Sequence, residues 1–301
     1  MAWAQPWKFK FEKVPYRFNL ECLADWQLGS RSCCLWKIEQ HIDDILADAK
    51  HTDAGVIFAG DIEDEDRPST RAMRRVIAAD RAEVVQRDSE KHVAWLEQKV
   101  VPLLLRLHRG TKYGILGGVA GHHYTQIAEG TNSVQYLFRR LQEITGKPCV
   151  YLGEMVSLLD FTFTDRKNHS QRIVGMLQHG EGGGQTKSST VNKLERAAQG
   201  FEADFYVRGH DCQLVGTKTD QLYAKQNRGA GSAIAARTKA MLNLGSATMG
   251  YEEGKGSASY IESAMMRPAT MGWGRLKFRL RHAVKAEDPH GNLTTDIKIE
   301  F

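Results

Sequence analysis

The chain has 301 residues, of which 42% are hydrophobic and 26% charged, a balance typical of a globular protein and not of a disordered one. The net charge of +5 is small for this length, so it favours a polyanionic partner only weakly. No apolar run reaches the roughly 18 residues of a membrane span, and the first ten residues lack a signal-peptide core. We therefore expect one cytoplasmic α/β domain without a membrane partner, its five irregularly spaced cysteines reduced.

The first part of the chain predicts strands that alternate with helices. A mixed apolar run at residues 17–24 predicts a strand that ends at Asp25, and apolar periodicity over residues 34–49 predicts the helix after it. Residues 55–59 form a short continuous apolar run, typical of a strand buried on both faces, which ends at Gly60-Asp61. An aspartate thus follows each of the first two predicted strands.

The pattern continues through a long helical region into a third strand. Residues 69–107 have helical periodicity, and Pro102 predicts a kink or break that divides them into two helices. Residues 113–116 predict a buried strand that leads into Gly121-His122-His123, and residues 133–145 predict a helix.

The second part of the chain is richer in strands. Residues 156–164 and 171–178 predict two strands, the second of which ends at His179. A helix at residues 189–199 and a strand at 204–207 follow, and that strand enters Gly209-His210-Asp211-Cys212. Short strand-like pieces continue to the end of the chain.

Polar side chains therefore follow five predicted strands, at Asp25, Asp61, His122-His123, His179 and His210. Ligands of open α/β sheets bind beyond the carboxyl ends of the strands, so these side chains are expected to converge. Carboxylate oxygens together with imidazole nitrogens suit zinc, manganese or iron, and a shared carboxylate can hold two such ions. This set of residues favours hydrolysis over redox chemistry.

In these motifs the sequence resembles the calcineurin-like metallophosphoesterases. That family shows an ordered series of D-x-H, G-D, G-N-H followed by an acid, a lone His, and G-H-x-H, each after a strand. The corresponding positions here are Asp25-Trp26-Gln27, Gly60-Asp61, Gly121-His122-His123-Tyr124, His179-Gly180 and Gly209-His210-Asp211-Cys212. The chain is also similar to phosphoesterases encoded by phages and prophages.

The resemblance implies a fold. It is a four-layer α/β/β/α sandwich of two mixed sheets with helices outside, in a single domain over residues 1–301, with residues 216–301 completing the second sheet.

The resemblance also implies roles for the site residues. Asp61 would bridge two metal ions, Asp25 would bind the first, and His179 and His210 would bind the second. His123 would protonate the leaving oxygen.

Three positions depart from the family pattern. Gln27 and Cys212 replace histidines that bind the first metal in the family, and His122 replaces the asparagine that binds the second. An amide oxygen is a neutral ligand and a thiolate is a soft one that favours zinc, so the first site is expected to be weaker or altered in its metal preference. Alternatively, Gln27 contacts a metal-bound water or the substrate, and Cys212 is a small buried hydrophobe. One ion held by Asp61 and three histidines is then enough.

The function expected from these features is metal-dependent hydrolysis of a phosphoester, by a phosphodiesterase or a nuclease. The basic stretch at residues 216–240 suggests nucleic acid as a partner, with Lys218, Lys225 and Arg228 as substrate-binding residues. The triple glycine at residues 182–184 lacks the Lys-Ser/Thr of a phosphate-binding P-loop and reads as a loop beside the site.

Two other functions remain open: a non-catalytic, degenerate metal-binding member of the fold, and a nucleic-acid-binding protein without catalysis. The histidines that match no motif are expected to be structural; they are His41, His51, His92, His108, His169, His282 and His290.

Overall fold

The computed structural model describes residues 6–30, 32–64, 82–128, 131–182, 186–227, 231–249, 271–284 and 292–301. The strands of the first half are β1 (Trp7–Lys10), β2 (Tyr16–Leu23), β3 (Asp53–Ala59), β4 (Ile115–Val119), β5 (Gln126–Ala128), β6 (Thr131–Asn132) and β7 (Val150–Tyr151). Those of the second half are β8 (Val156–Thr164), β9 (Ser170–Gln178), β10 (Phe205–Arg208), β11 (Val215–Asn227), β12 (Gly231–Asn243), β13 (Gly274–His282) and β14 (Leu293–Glu300). The α-helices are α1 (Leu35–Asp48), α2 (Ala82–Trp95), α3 (Val101–Gly110), α4 (Ser133–Thr145) and α5 (Lys187–Gly200).

These strands form two six-stranded mixed sheets and one small two-stranded sheet. The first sheet has the order β14-β13-β2-β3-β4-β7, with β2, β3, β4 and β7 parallel. The second sheet has the order β1-β8-β9-β10-β12-β11, in which β9, β10 and β12 are parallel. In each sheet the parallel strands therefore bring their carboxyl ends to one edge.

The two sheets pack face to face around an aromatic core. Phe161 and Phe163 of β8 meet Phe278 of β13, with ring centroids 6.4 and 6.1 Å apart. Helix α3 packs against α1, α4 and β4, and α4 also packs against β7 of the first sheet. Helix α5 covers the other side of the second sheet, where Leu194 packs with Tyr206 and Met241. The predicted four-layer α/β/β/α sandwich of two mixed sheets is confirmed.

The long helical region differs from the prediction in how it is interrupted. A π-helical segment, Leu96–Val100, joins α2 to α3. The helical backbone continues through this segment into α3, whose second residue is Pro102, so the irregularity predicted at the proline is a π-helical segment just before it. The part of the predicted helix at residues 69–81 lies outside the described residues.

The carboxyl-terminal strands divide between the two sheets, whereas the sequence predicted that residues 216–301 would all complete the second. Strands β11 and β12 do join the second sheet. Strand β13 instead pairs antiparallel with β2, and β14 pairs with β13, so both extend the first sheet. Among the described residues, no helix has the length and apolar character needed to cross a membrane.

Candidate metal centre

The carboxyl ends of five strands bring the predicted ligands together. Asp25 follows β2, Asp61 follows β3, and the pair His122-His123 follows β4 in the first sheet. His179 follows β9 and His210 follows β10 in the second sheet. The backbone N–H of His210 donates to Asp25 Oδ2 at 2.9 Å, so the rims of the two sheets are in contact at this point.

The local backbone at these strand ends is unusual. Six described residues other than glycine have a positive φ, and five of them belong to the predicted site. The five are Asp25 (51°), Gln27 (45°), Asp61 (52°), His210 (75°) and Cys212 (50°). A side chain in this region costs of order 1–3 kcal/mol, and such residues cluster at functional sites, where the surrounding structure holds them. The strain is therefore concentrated where the chain turns its ligands inward.

Three histidines form the first group of possible ligands. Ligand nitrogens of His122, His179 and His210 all lie within 4.8 Å of one another. His122 Nδ1 and His210 Nδ1 are 3.2 Å apart. Two ligands of a tetrahedral ion with bonds of about 2.05 Å are separated by roughly 3.3 Å, so this spacing suits a shared zinc-like cation.

Two buried carboxylates and His179 form the second group. Ligand atoms of Asp25, Asp61 and His179 also lie within 4.8 Å of one another. His179 Nε2 is 3.0 Å from Asp61 Oδ2, which places Asp61 between the two groups. Asp61 Oδ1 accepts hydrogen bonds from the backbone N–H groups of His122 (2.7 Å) and His123 (2.9 Å), so its other oxygen faces the histidines.

His179 shows directly that the site suits a cation. Its Nδ1 donates to the carbonyl oxygen of Ala59 at 2.7 Å, which leaves the lone pair of Nε2 directed into the site when the ring is neutral. That buried Nε2 lies 3.0 Å from Asp61 Oδ2, close enough for an ion pair when the ring is protonated, although it makes no hydrogen bond that meets the geometric criteria among the described residues. A metal ion could take the place of the proton and bind the lone pair of this nitrogen.

The pKa shifts of the site residues also favour a bound cation. Burial raises the pKa of Asp25 to about 7, and the neighbouring Asp61 carboxylate adds to the shift. Burial opposes a charged imidazole at His179, yet the carboxylates of Asp61 and Asp25 raise its pKa to about 9. Burial together with the charge on His179 lowers the pKa of His210 to about 3, so His210 is a neutral nitrogen donor. A divalent cation would stabilise both carboxylates and displace the proton of His179.

His123 lies beside the cluster and pairs with an aspartate that sequence reasoning missed. His123 Nδ1 is 3.2 Å from Asp64 Oδ2, and its Nε2 is 3.9 Å from Asp61 Oδ2. Burial disfavours the charged ring, but the hydrogen bond to Asp64 and the charge on Asp61 raise the pKa of His123 to about 9. The residue that follows His123 in the sequence is Tyr124, which has no carboxylate. Asp64 provides the carboxylate that contacts His123 instead. The feature of the sequence that could have indicated Asp64 is an acidic residue three positions after Asp61.

A second missed carboxylate, Glu63, holds the loop that carries the histidine pair. The buried Glu63 Oε1 accepts hydrogen bonds from Thr125 N–H (3.0 Å) and the Ser133 hydroxyl (2.6 Å). Its Oε1 also lies 3.4 Å from His92 Nε2. Glu63 thereby connects the ends of β3 and β4 to helices α2 and α4.

Gln27 and Cys212 lie at the site but belong to neither group of possible ligands among the described residues. Gln27 Oε1 accepts a hydrogen bond from the Thr248 hydroxyl at 3.0 Å. Burial, with a further contribution from the charge on Asp25, raises the pKa of the Cys212 thiol well above its usual value. Burial therefore favours the neutral thiol, and a role for Gln27 or Cys212 as a metal ligand stays a prediction.

A groove borders the site on the side of the second sheet. It has a volume of about 420 Å³, and its lining includes Gly180, Lys193 and Arg208. The cations are held in place, since Arg208 Nη1 donates to Asp211 Oδ2 at 2.6 Å and Lys193 Nζ donates to Asp211 Oδ1 at 2.7 Å. Arg208 immediately precedes Gly209-His210, so this ion-pair network braces the loop that positions His210.

Two of the three predicted substrate-binding residues lie on strand β11. Strand β11 begins at Val215, next to the site, and Lys218 and Lys225 lie three and ten residues further along it. At about 3.3 Å per residue, these steps correspond to roughly 10 and 33 Å along the strand, and a substrate-binding role for the two lysines stays a prediction. Arg228 lies outside the described residues. Of the other cations in this stretch, Arg237 pairs with Glu202 and Asp204.

Comparison with known proteins gives little guidance. No known family profile and no curated protein matches the sequence. Among solved structures, the chain is similar to Vps29 of Chaetomium thermophilum, with 12% of residues identical and a TM-score of 0.31. The match covers 94% of this chain and 96% of that one. A likeness this distant assigns the chain to no family and to no activity, and the side chains at the two sheet rims remain the guide to its chemistry.

Proposed function

We propose that this protein is a metal-dependent phosphoester hydrolase that uses one or two divalent ions of the manganese, zinc or iron type. The observation that supports the proposal most strongly is the convergence of Asp25, Asp61, His122, His179 and His210 at one rim of the two sheets. Carboxylate oxygens and imidazole nitrogens that converge from five strand ends are the donors that such ions take in proteins. The buried Nε2 of His179 is a candidate ligand atom in both groups, 3.0 Å from Asp61 Oδ2.

The two ligand groups would bind different ions. His122, His179 and His210 would hold one ion, and Asp25 and Asp61 would extend the site towards a second, with His179 common to both groups. A bound ion of this kind supplies a Lewis acid for the phosphoryl oxygens and lowers the pKa of water from about 15.7 to around 7. Asp61 keeps its orientation through the two backbone N–H groups that hold Oδ1.

His123 is suited to protonate the leaving oxygen. Its side chain is about one-third exposed, at 32%, so a substrate can reach the ring from solvent. The hydrogen bond to Asp64 fixes the ring through Nδ1 and leaves Nε2 directed towards the side of Asp61. Because the raised pKa keeps the ring protonated at neutral pH, Nε2 can donate a proton to an alkoxide as the phosphoester bond breaks.

The groove beside the site bears on which class of phosphoester is cut. We infer a phosphodiester in preference to a monoester because Arg208 and Lys193 line a groove beside the site, where a second anionic group could lie. Nucleic acid is one member of that class. With such a substrate, Lys218 and Lys225 of β11 would contact the part of the chain beyond the scissile phosphoester.

A non-catalytic metal-binding protein is the second candidate. The observation that favours it is the state of Gln27, bonded to Thr248, and of Cys212, a neutral thiol, at the positions where two metal-binding histidines were expected. The arrangement of His123 and Asp64 favours catalysis, since a purely structural metal needs no oriented proton donor beside it.

The test compares metal content and hydrolysis in matched variants. Wild type, Asp61→Ala, His123→Ala and the exposed control His51→Ala are purified, analysed for bound metal, and assayed on an aryl phosphodiester with manganese or zinc. We expect Asp61→Ala to lose metal and activity, and His123→Ala to keep metal but lose activity by about 10²- to 10⁴-fold, the usual contribution of a general acid. Metal binding without hydrolysis in the wild type would support the non-catalytic candidate. Full metal content and activity in Asp61→Ala would refute the site.

A further inference from the structure

A second histidine and aspartate cluster lies at the other end of the sandwich. It consists of Asp165, His169 and His282, whose ligand atoms all lie within 4.8 Å of one another. His169 immediately precedes β9, and His179 of the metal centre immediately follows it. The nine residues of that strand span roughly 30 Å, so the two clusters are separate sites.

Asp165 is fixed by the turn between β8 and β9. Its Oδ1 accepts hydrogen bonds from the backbone N–H groups of Lys167 (2.8 Å) and His169 (2.9 Å). The turn is closed by a backbone hydrogen bond from Asp165 N–H to the His169 carbonyl oxygen at 3.0 Å. One carboxylate oxygen is therefore used for the turn, and the other, Oδ2, is held in a constant direction.

The second oxygen of Asp165 faces two imidazole rings. His169 Nδ1 lies 3.0 Å from Oδ2, and His282 Nε2 lies 3.8 Å from it. The two rings are nearly perpendicular, at 89°, with centroids 5.4 Å apart. Ligands of a tetrahedral zinc with bonds of about 2.05 Å are roughly 3.3 Å apart, and the two distances fall on either side of that value.

The cluster occupies the place where the apolar core between the sheets ends. On β8, Phe161 and Phe163 face inward. Asp165 lies two residues after Phe163, just past the end of the strand, and continues the same inward-facing row. On β13 the facing row is Phe278, Leu280 and then His282. The aromatic contacts between the sheets thus give way to a carboxylate and an imidazole, one from each sheet.

Exposure distinguishes this cluster from a buried ion pair. The Asp165 side chain is 3% exposed, whereas those of His169 and His282 are 36% and 41% exposed. An ion held there would have three protein ligands and a position open to solvent. Neutral imidazole nitrogens with one carboxylate oxygen are the donors that zinc takes in proteins.

We propose that Asp165, His169 and His282 form a zinc-binding site that ties the turn of the second sheet to the end of β13 in the first sheet. The site is independent of the hydrolytic centre. Because zinc would bind the folded chain and bridge two elements that meet only in the fold, it would stabilise the protein in proportion to its occupancy.

The test counts zinc ions and follows thermal unfolding with zinc as the probe. Wild type, His282→Ala, His169→Ala and the control His51→Ala are dialysed against buffered free zinc, and the zinc per chain is measured. We expect His282→Ala and His169→Ala each to bind one zinc ion fewer than wild type and His51→Ala, and to show a smaller rise in Tm on addition of zinc. Their hydrolysis of the aryl phosphodiester should equal that of wild type.

Equal zinc stoichiometry and an equal rise in Tm in wild type and both variants would overturn the proposal, and the cluster would then be a turn held by hydrogen bonds alone. His282 is well exposed, so its substitution leaves no buried cavity. Should His169→Ala fail to fold, His282→Ala and the conservative His282→Gln still decide the question, because both lack the imidazole and keep the Asp165 turn intact.

Discussion

Replacing Gly121 with alanine should damage the metal centre without touching any proposed ligand. Gly121 has a φ of +87°, and a Cβ there would lie 2.1 Å from Asp61 Oδ1 and 2.6 Å from Asp61 N. Gly146, at the end of α4, is the matched control: its φ is +70°, but a Cβ there would meet nothing within 4 Å. Both substitutions cost about 1–2 kcal/mol for a left-handed backbone, so the difference between them isolates the collision with Asp61.

The size of that difference follows from the hydrogen bonds of Asp61. Its Oδ1 accepts from the backbone N–H groups of His122 and His123, and it must move to admit the new methyl group. A hydrogen bond to a charged group is worth about 1.5–3 kcal/mol. Since 1.4 kcal/mol is a factor of ten, loss of one such bond predicts metal affinity about 10- to 100-fold weaker in Gly121→Ala.

The assay is a titration of each apoprotein with zinc or manganese, accompanied by thermal unfolding in excess chelator. Gly146→Ala should show a lower Tm and wild-type metal affinity, and Gly121→Ala should show the weaker affinity as well. If the two variants bound metal equally tightly, the placement of Asp61 at the centre of the site would be refuted.

Three further results are expected. Asp64→Asn should lower kcat more for an alkyl phosphodiester than for an aryl one, because only the poorer leaving group needs the proton of His123; equal losses would contradict that role. Glu63→Ala should lower the free energy of unfolding in urea by about 1–3 kcal/mol or more, since it leaves the Ser133 hydroxyl without its buried acceptor, and an unchanged midpoint would contradict this. Burial lowers the pKa of His108 to about 4, so it folds as the neutral ring, and the stability it contributes at neutral pH should be lost as pH falls from about 6.5 towards 4. Denaturant unfolding of His108→Asn across that range should show a weaker pH dependence than wild type.

The strand ends could be predicted from the sequence because their signals are local. Short apolar runs that stop at Asp61 or His179 indicate a buried strand and its end without reference to the rest of the chain. The helix at Ser133–Thr145 and the strand at Val156–Thr164 have the predicted bounds, since their periodicity is uninterrupted. Parallel pairing then brings the ends to one edge, which is why the ligand cluster could be anticipated.

Features set by distant parts of the chain could not be predicted in this way. The pairing of β13 with β2 joins segments that are far apart in sequence. No local pattern in the sequence therefore indicates that the last strands divide between two sheets. The pairing of β11 with β12, which fixes where Lys218 and Lys225 lie in the second sheet, could not be predicted from charge composition either, because composition carries no register. The meeting of Asp165 with His282 likewise exists only after the two sheets pack.

Anomalous X-ray scattering from crystals grown with zinc or manganese tests the central claim most directly. The geometry predicts an anomalous peak within bonding distance of His122, His179 and His210, with Asp61 beside it. Absence of a peak there under conditions in which the protein hydrolyses a phosphodiester would show that the chemistry takes place elsewhere and would contradict this account.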